Sequence, residues 1–468
     1  MPPSDRDLVP RSAAGGAGVA LVGERQEPEP GEWRDGDAGP GYGPLVDDPA
    51  GLLALPAGFS YRVVARAAVT TPEPGGPTPP HPAAAFPGEH GATLLVAGHA
   101  PGGPRSDRPY PAAVADLVYD AAAAGGCTVV EVPHDGQDRH DGQPGEGVRE
   151  WVALAGASAN RGGGATPWGT WLAGEETEDL AGVRGMTRDH GYVFEVDPHD
   201  RLTNRHPKPL KALGRYAHAA VVVDPGRGHL YLTEDASAPD GLLYRWTAPE
   251  GFAHGRGRLA ALDDTAGALQ AFRCFDSGGR FVADLSRAAR IGTVYGVDWV
   301  DVPDRDARST SVRRQFPEGR VTRARTQASM WWADGGAYVV ASHGRGESPG
   351  GHGGAVWFYN PSRRTLTLKV LLDVGTGAEQ DLGAVTVSPF GGLIAAGDVG
   401  GVPHLLGVLD DGRTHPLARS RLDARAARRP EHGAFTGLAF SPDGETLFAG
   451  IRTPGVVLAI TGPWRRRG

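Results

Sequence analysis

Two acidic runs place like charges close together. EETED (175–179) sets Glu175, Glu176, Glu178 and Asp179 around Thr177, and TED (233–235) sets Glu234 beside Asp235. Each follows a short apolar run, so each falls at the end of an expected strand. Carboxylates gathered on one pocket either repel one another or hold cations. Glu175, Glu176 and Glu234 are therefore read as candidates for a shared site. Solvated loop charge is the ordinary alternative for any acidic pair.

Other catalytic arrangements are poorly represented. GASAN (156–160) lacks the second glycine and the strand-to-helix turn of a nucleophile elbow. GGAGVAL (15–21) is glycine-rich, but no parallel-sheet pattern follows it. The histidines are scattered, with no helical His-x-x-x-His pair to suggest zinc. Trp168, Trp171, Trp331 and Trp332 read either as walls of a channel mouth or as packing between sheets. Two cysteines, Cys127 and Cys274, cannot form a disulfide framework. They read as one bridge or, more simply, as two buried thiols.

The elements that would position these groups are short. The chain has 468 residues, of which 71 are Gly and 40 are Pro. These punctuate apolar runs of β-prone residues, such as GYVFEVDP (191–198), GHLYLTED (228–235), GAYVVAS (336–342) and VVLAIT (456–461). The runs come in pairs at hairpin distances, and the phrase at SPFGGLIAAGD (388–398) returns at SPDGETLFAGI (441–451). A strand–turn–strand unit repeated from about residue 44 onward predicts an all-β propeller. In that fold the innermost strand of each blade lines a central channel, so polar strand ends converge. Short helices are expected only in insertions, best at DDTAGALQAF (263–272) and DLSRAAR (284–290).

The net charge of −8 argues against a general nucleic-acid binder. No stretch reaches the ~18 apolar residues of a membrane span. Residues 13–23 form a short apolar segment after Arg6 and Arg11. It reads as a decayed twin-arginine export signal or as a flexible tail, so residues 1–43 are set apart from a domain spanning 44–468.

At TPWGTWLAGEETED (166–179) the chain resembles the PhoX family of alkaline phosphatases. The resemblance continues through LGRYAHAAVVVDP (213–225), HLYLTEDASAPDGLLYRW (229–246), IGTVYGVDWVDVPD (291–304), WWADGGAYVVAS (331–342), FTGLAFSPDGETLF (435–448) and TPGVVLAITGPW (453–464). It implies a six-bladed propeller that is exported, and hydrolysis of small phosphomonoesters at a cluster of iron and calcium ions. Such a cluster needs oxygen ligands, chiefly carboxylates, and ferric iron also takes a thiolate.

Set against the family pattern, the chain departs where those ligands belong. The Asn-His-Glu expected near the first strand is Gly98-His99-Ala100. The metal-binding Cys is Gly174, and the Glu of Ala-His-Glu-Ala is Ala219. The Glu-Gly before Met-Trp-Trp is Ala328-Ser329, and the phosphate-touching basic residue is Thr326. Pro-Asp-Asn is Leu382-Gly383-Ala384, Glu-Asp is Gly397-Asp398, Ser-Glu is Gly433-Ala434, and an Asn near the end is Gly450. The family motifs keep Glu175, Glu176, Glu234, Asp235 and Asp398, with Asn160, His99 and His218 as pocket candidates. Ligands of one cluster act jointly, so losing several should prevent its assembly. One calcium ion on Glu175, Glu176 and Glu234 is the residual metal site expected, and the iron implied by the family lacks its ligand set. The expectation is a phosphatase scaffold that is weak or inactive. Its alternatives are an active enzyme with a reduced calcium site and a propeller that binds a ligand or partner.

Overall fold

The computed structural model describes residues 41–48, 51–66, 81–100, 110–133, 148–325, 327–342, 352–373, 383–399, 402–409, 413–422 and 433–464. The export-signal reading of residues 13–23, Thr326 and Leu382 lie outside them. Within them the chain is a β-propeller. Its innermost strands are His81–Pro87, Gly163–Ala165, His218–Val223, Gln327–Ala333, Ala384–Val387 and Phe435–Phe440. Each neighbours the next around a ring, and the last neighbours the first. Six blades follow, as the family resemblance implies.

Blades I, III, IV, V and VI build outward from these strands as antiparallel meanders. Blade I adds Thr93–His99, Gly125–Val132 and Arg149–Ala157. Blade II is shorter, adding Trp171–Gly174 and Val193–Val196. Ring closure comes from the amino end: Ser60–Arg66 pairs with Val456–Thr461 as the outer strand of blade VI. Leu53–Pro56 likewise pairs with the outer strand of blade V. A further strand, Val294–Asp301, pairs with blade III on one side and with the outer strand of blade IV on the other.

Glycine allows the inner strands to approach backbone to backbone. A Cβ on Gly162 would lie 1.5 Å from the Ala219 carbonyl oxygen, and one on Gly437 would lie 1.7 Å from that of Pro82. Neither contact tolerates a side chain. Between blades the core is apolar, with Tyr231, Phe272, Cys274, Met330 and Trp357 packed in one cluster between blades III and IV.

The helices expected in the insertion do not form. Ala268–Phe275 is a strand between Leu243–Thr247 and Val294–Asp301. Leu269, Ala271 and Cys274 are buried in the sheet, so strand pairing on both sides overrides the local helical pattern. At 284–290 only a 3₁₀ turn forms, Leu285–Arg287, with Asp284 accepting from the Ser286 N–H. Cys127 and Cys274 are both free and buried. No helix among the described residues is long and apolar enough to cross a membrane.

Candidate functional site

The six inner strands enclose a cavity of about 310 Å³. Much of its wall is small or apolar, from Gly163, Ala219, Ala384 and Gly437 to Trp331 and Leu438. Its charged groups are Arg161, Glu176, Asp235 and Arg452. Arg161 precedes the inner strand of blade II. The other three lie just past the ends of second strands: Trp171–Gly174, Leu230–Glu234 and Thr446–Ile451. Strand ends do converge here, because every blade directs the same end of its first hairpin toward the axis.

The acidic candidates separate into different environments. Glu175 is fully buried. Its Oε1 accepts from the Ser158 N–H at 2.9 Å and His190 Nδ1 at 2.7 Å, and its Oε2 from the N–H groups of Gly191 and Tyr192. His190 Nε2 meets Asp120 Oδ2 at 3.2 Å. A ring between two carboxylates donates from both nitrogens. Burial opposes its charge, but the bonds to Glu175 and Asp120 prevail and hold the pKa above the ordinary value. Glu234, also fully buried, accepts from the Tyr244 hydroxyl at 2.7 Å and pairs with Arg313 Nη1 at 2.9 Å. The same nitrogen lies 2.5 Å from Glu178 Oε2. Burial pushes the Glu234 pKa up to about 7, against the pull of Tyr244 and Arg313. Only Glu176 and Asp235 of the candidate acids line the cavity. Glu176 stands 3.6 Å from Arg161, and burial pushes its pKa up to about 8. The grouping expected of Glu175, Glu176 and Glu234 is not formed: among the described residues no three His, Cys, Asp or Glu side chains are placed to hold a metal ion. The physical reason is that Glu175 and Glu234 are already matched by protein donors.

The remaining candidates have local partners. His99 ends the second strand of blade I and bonds Thr128 Oγ1 at 2.9 Å. His218 opens the inner strand of blade III and donates to the Gly214 carbonyl at 3.1 Å, and its ring lies tilted against that of Tyr216 with centroids 3.8 Å apart. Burial lowers its pKa to about 3. Asn160 donates to the Gly174 carbonyl at 3.1 Å. Asp398 is half-buried on the second strand of blade V, in register with Pro403.

Of the positions singled out as departures, Ala219, Gly383 and Ala384 line the cavity. Ala328 lies on the inner strand of blade IV, and Ala434 directly precedes that of blade VI. Gly397 and Gly450 lie on second strands, opposite His404 and Val457. Ala100 follows His99 at the end of its strand. Two departures are built into the backbone. A Cβ on Gly98 would meet the Asn160 carbonyl oxygen at 2.6 Å, and one on Gly174 would meet His218 Cβ at 3.0 Å. By contrast Gly383 has room, its nearest contact lying at 3.7 Å.

Sequence reasoning missed four groups: Arg161, Arg452, His81 and Arg313. His81 lines the cavity, and burial, with Arg452 and Arg161 adding to it, lowers its pKa to about 3. Arg313 comes from the segment joining blades III and IV. The chain has 47 basic residues, all arginine except Lys208, Lys211 and Lys369. A functional arginine therefore has no contrast in composition. The signal available was position, since Arg161 and Arg452 flank strands like the acids do.

Fold and site together define a six-bladed propeller with charged groups gathered at one end of its axial cavity. The chain belongs to the PhoX family of alkaline phosphatases, whose family model matches residues 40–455. Among solved structures it resembles Pseudomonas fluorescens PhoX in complex with vanadate, a transition state analogue. There the identity is 17% and the TM-score 0.60, over 90% of this chain and 97% of that one. At that identity the likeness is one of fold. Fainter likenesses include a gluconolactonase from Xanthomonas campestris (12% identity, TM-score 0.38, 89% and 99% covered). Another is a catalytically inactive virginiamycin B lyase from Staphylococcus aureus (9%, 0.39, 86% and 99%). No curated protein sequence matches the chain.

Proposed function

We propose that this protein keeps the phosphatase scaffold of its family but does not assemble the iron and calcium cluster, and is a weak or inactive phosphomonoesterase. The observation that carries this reading is how the surviving carboxylates are matched. Glu175 is held by His190 and three backbone N–H groups, and Glu234 by Arg313 and Tyr244. A multivalent cation would have to displace an arginine or break a saturated hydrogen-bond set. At the cavity itself, Glu176 faces Arg161, while Ala219, Gly383 and Ala384 offer no donor side chain. The donor set thus does not fit a highly charged centre, whose positive charge the protein must offset. The family's substrate class, a small phosphorylated molecule, carries over only as far as the scaffold does.

Elemental analysis of the purified protein, combined with an aryl phosphate assay at alkaline pH with added calcium, tests this. Substoichiometric iron and negligible turnover are expected. Stoichiometric iron with robust turnover would refute the reading. Restoration at Ala219→Glu and Gly383→Asp is the informative gain-of-function attempt, because Gly383 has space for a side chain. Restoration at Gly98 or Gly174 requires the backbone to move.

A further inference from the structure

The cavity contains a cation whose donors are open. Arg161 sits at its wall, with its side chain about half exposed. Among the described residues its guanidinium makes no hydrogen bond, and its ion-pair partner, Glu176 Oε2, stands at 3.6 Å, beyond hydrogen-bond reach. A guanidinium presents five N–H donors in a planar fork that matches a carboxylate edge to edge. Arg452 brings a second guanidinium to the same cavity, and Trp331 and Met330 supply apolar wall. Charged, apolar and enclosed surfaces thus meet in one place, as small-ligand sites require.

The balance of charge selects the ligand. Two guanidinium groups face two carboxyl groups, Glu176 and Asp235, and burial disfavours the charged form of Glu176, so the lining carries between zero and one net positive charge. A monocarboxylate does not exceed that charge by more than one, whereas a phosphomonoester dianion brings an additional uncompensated negative charge toward Asp235. In a recessed cavity that difference counts for more than it does in bulk water. An amine would engage the acids but leave the open Arg161 fork unmatched.

We propose that the channel binds a small organic monocarboxylate, its carboxylate on the Arg161 fork and its carbon body against the Trp331 and Met330 wall. This rests on the reading above that no metal cluster fills the channel. The test uses the full-length protein, with iron and calcium measured in the same sample. Benzoate, phenyl phosphate and benzylamine are titrated at pH 7.5 by calorimetry and tryptophan fluorescence. Saturable one-to-one binding of benzoate is expected, with phenyl phosphate and benzylamine weaker by about tenfold or more. Arg161→Ala should weaken benzoate by at least about tenfold, and Arg161→Gln by a similar factor. Unchanged melting temperatures in both variants would show that the loss is local. No saturable benzoate binding would overturn the proposal. So would phenyl phosphate or benzylamine binding as tightly, or wild-type affinity in both variants. Iron and turnover in that sample would instead overturn the cluster-free reading, so the two failures are distinguishable.

Discussion

Arg313 reaches inward from a 3₁₀ turn and places one nitrogen between Glu178 and Glu234. Glu234 is fully buried, so this arginine neutralises a charge that has no access to water. Removing one partner of such a pair costs far more than the pair contributes, because the other charge is left uncompensated. Arg313→Met should therefore lose about 3–5 kcal/mol of stability in urea unfolding. Adding Glu234→Gln should recover part of that loss; a double variant as unstable as the sum of the singles would show that the residues do not act as a pair. His218 gives a pH signature. Its folded pKa, about 3, lies below the ordinary value of 6.5, so the folded protein excludes a proton that the unfolded chain takes up. Its contribution is fully present above pH 6.5 and falls as the pH drops toward 3. The stability advantage of wild type over His218→Asn should shrink by about 2 kcal/mol between pH 7.5 and 5.0. A constant difference would mean that the ring titrates in the folded protein as it does in the unfolded chain. The acidic pairs and repeat grammar were legible in the sequence; Arg313 was not, because its partners lie 135 and 79 residues away along the chain.

At the scale of elements, closure is the vulnerable step. Ser60–Arg66 covers the edge of Val456–Thr461, where Val456, Val457, Leu458, Ala459 and Ile460 are all buried. Without it that strand presents an unpaired, apolar edge of the kind that templates aggregation. A variant lacking residues 45–66 should lose cooperative unfolding and elute as aggregate in size-exclusion chromatography, and a monodisperse, cooperatively melting product would contradict this account of closure. In the sequence SYRVVAR carries two arginines among its apolar residues, so its local pattern alone does not mark it as the strand that closes the ring. The misread segment at 263–272 teaches the same lesson from the other direction. Its local pattern favours a helix, and only pairing with two distant strands makes it β.

For the molecule as a whole, the two thiols report on global opening. Cys127 lies in the core between blades I and II and Cys274 in that between blades III and IV. Burial pushes the Cys127 pKa up to about 12 and that of Cys274 higher still, so neither offers thiolate at neutral pH. A thiol reagent should find no rapidly reacting cysteine in the native protein and two in denaturant; rapid native labelling at either site would reveal local opening of that core. By itself the sequence determined the all-β repeat and the family, since each is written in neighbouring residues and their order. Only the tertiary structure decided which charges share a space. It separated Glu175 and Glu234 from the cavity, matched them with His190 and Arg313, and left Arg161 facing Glu176. Electrostatics acts across a few ångströms of space, and ring closure of a propeller sets those distances between residues far apart in the chain.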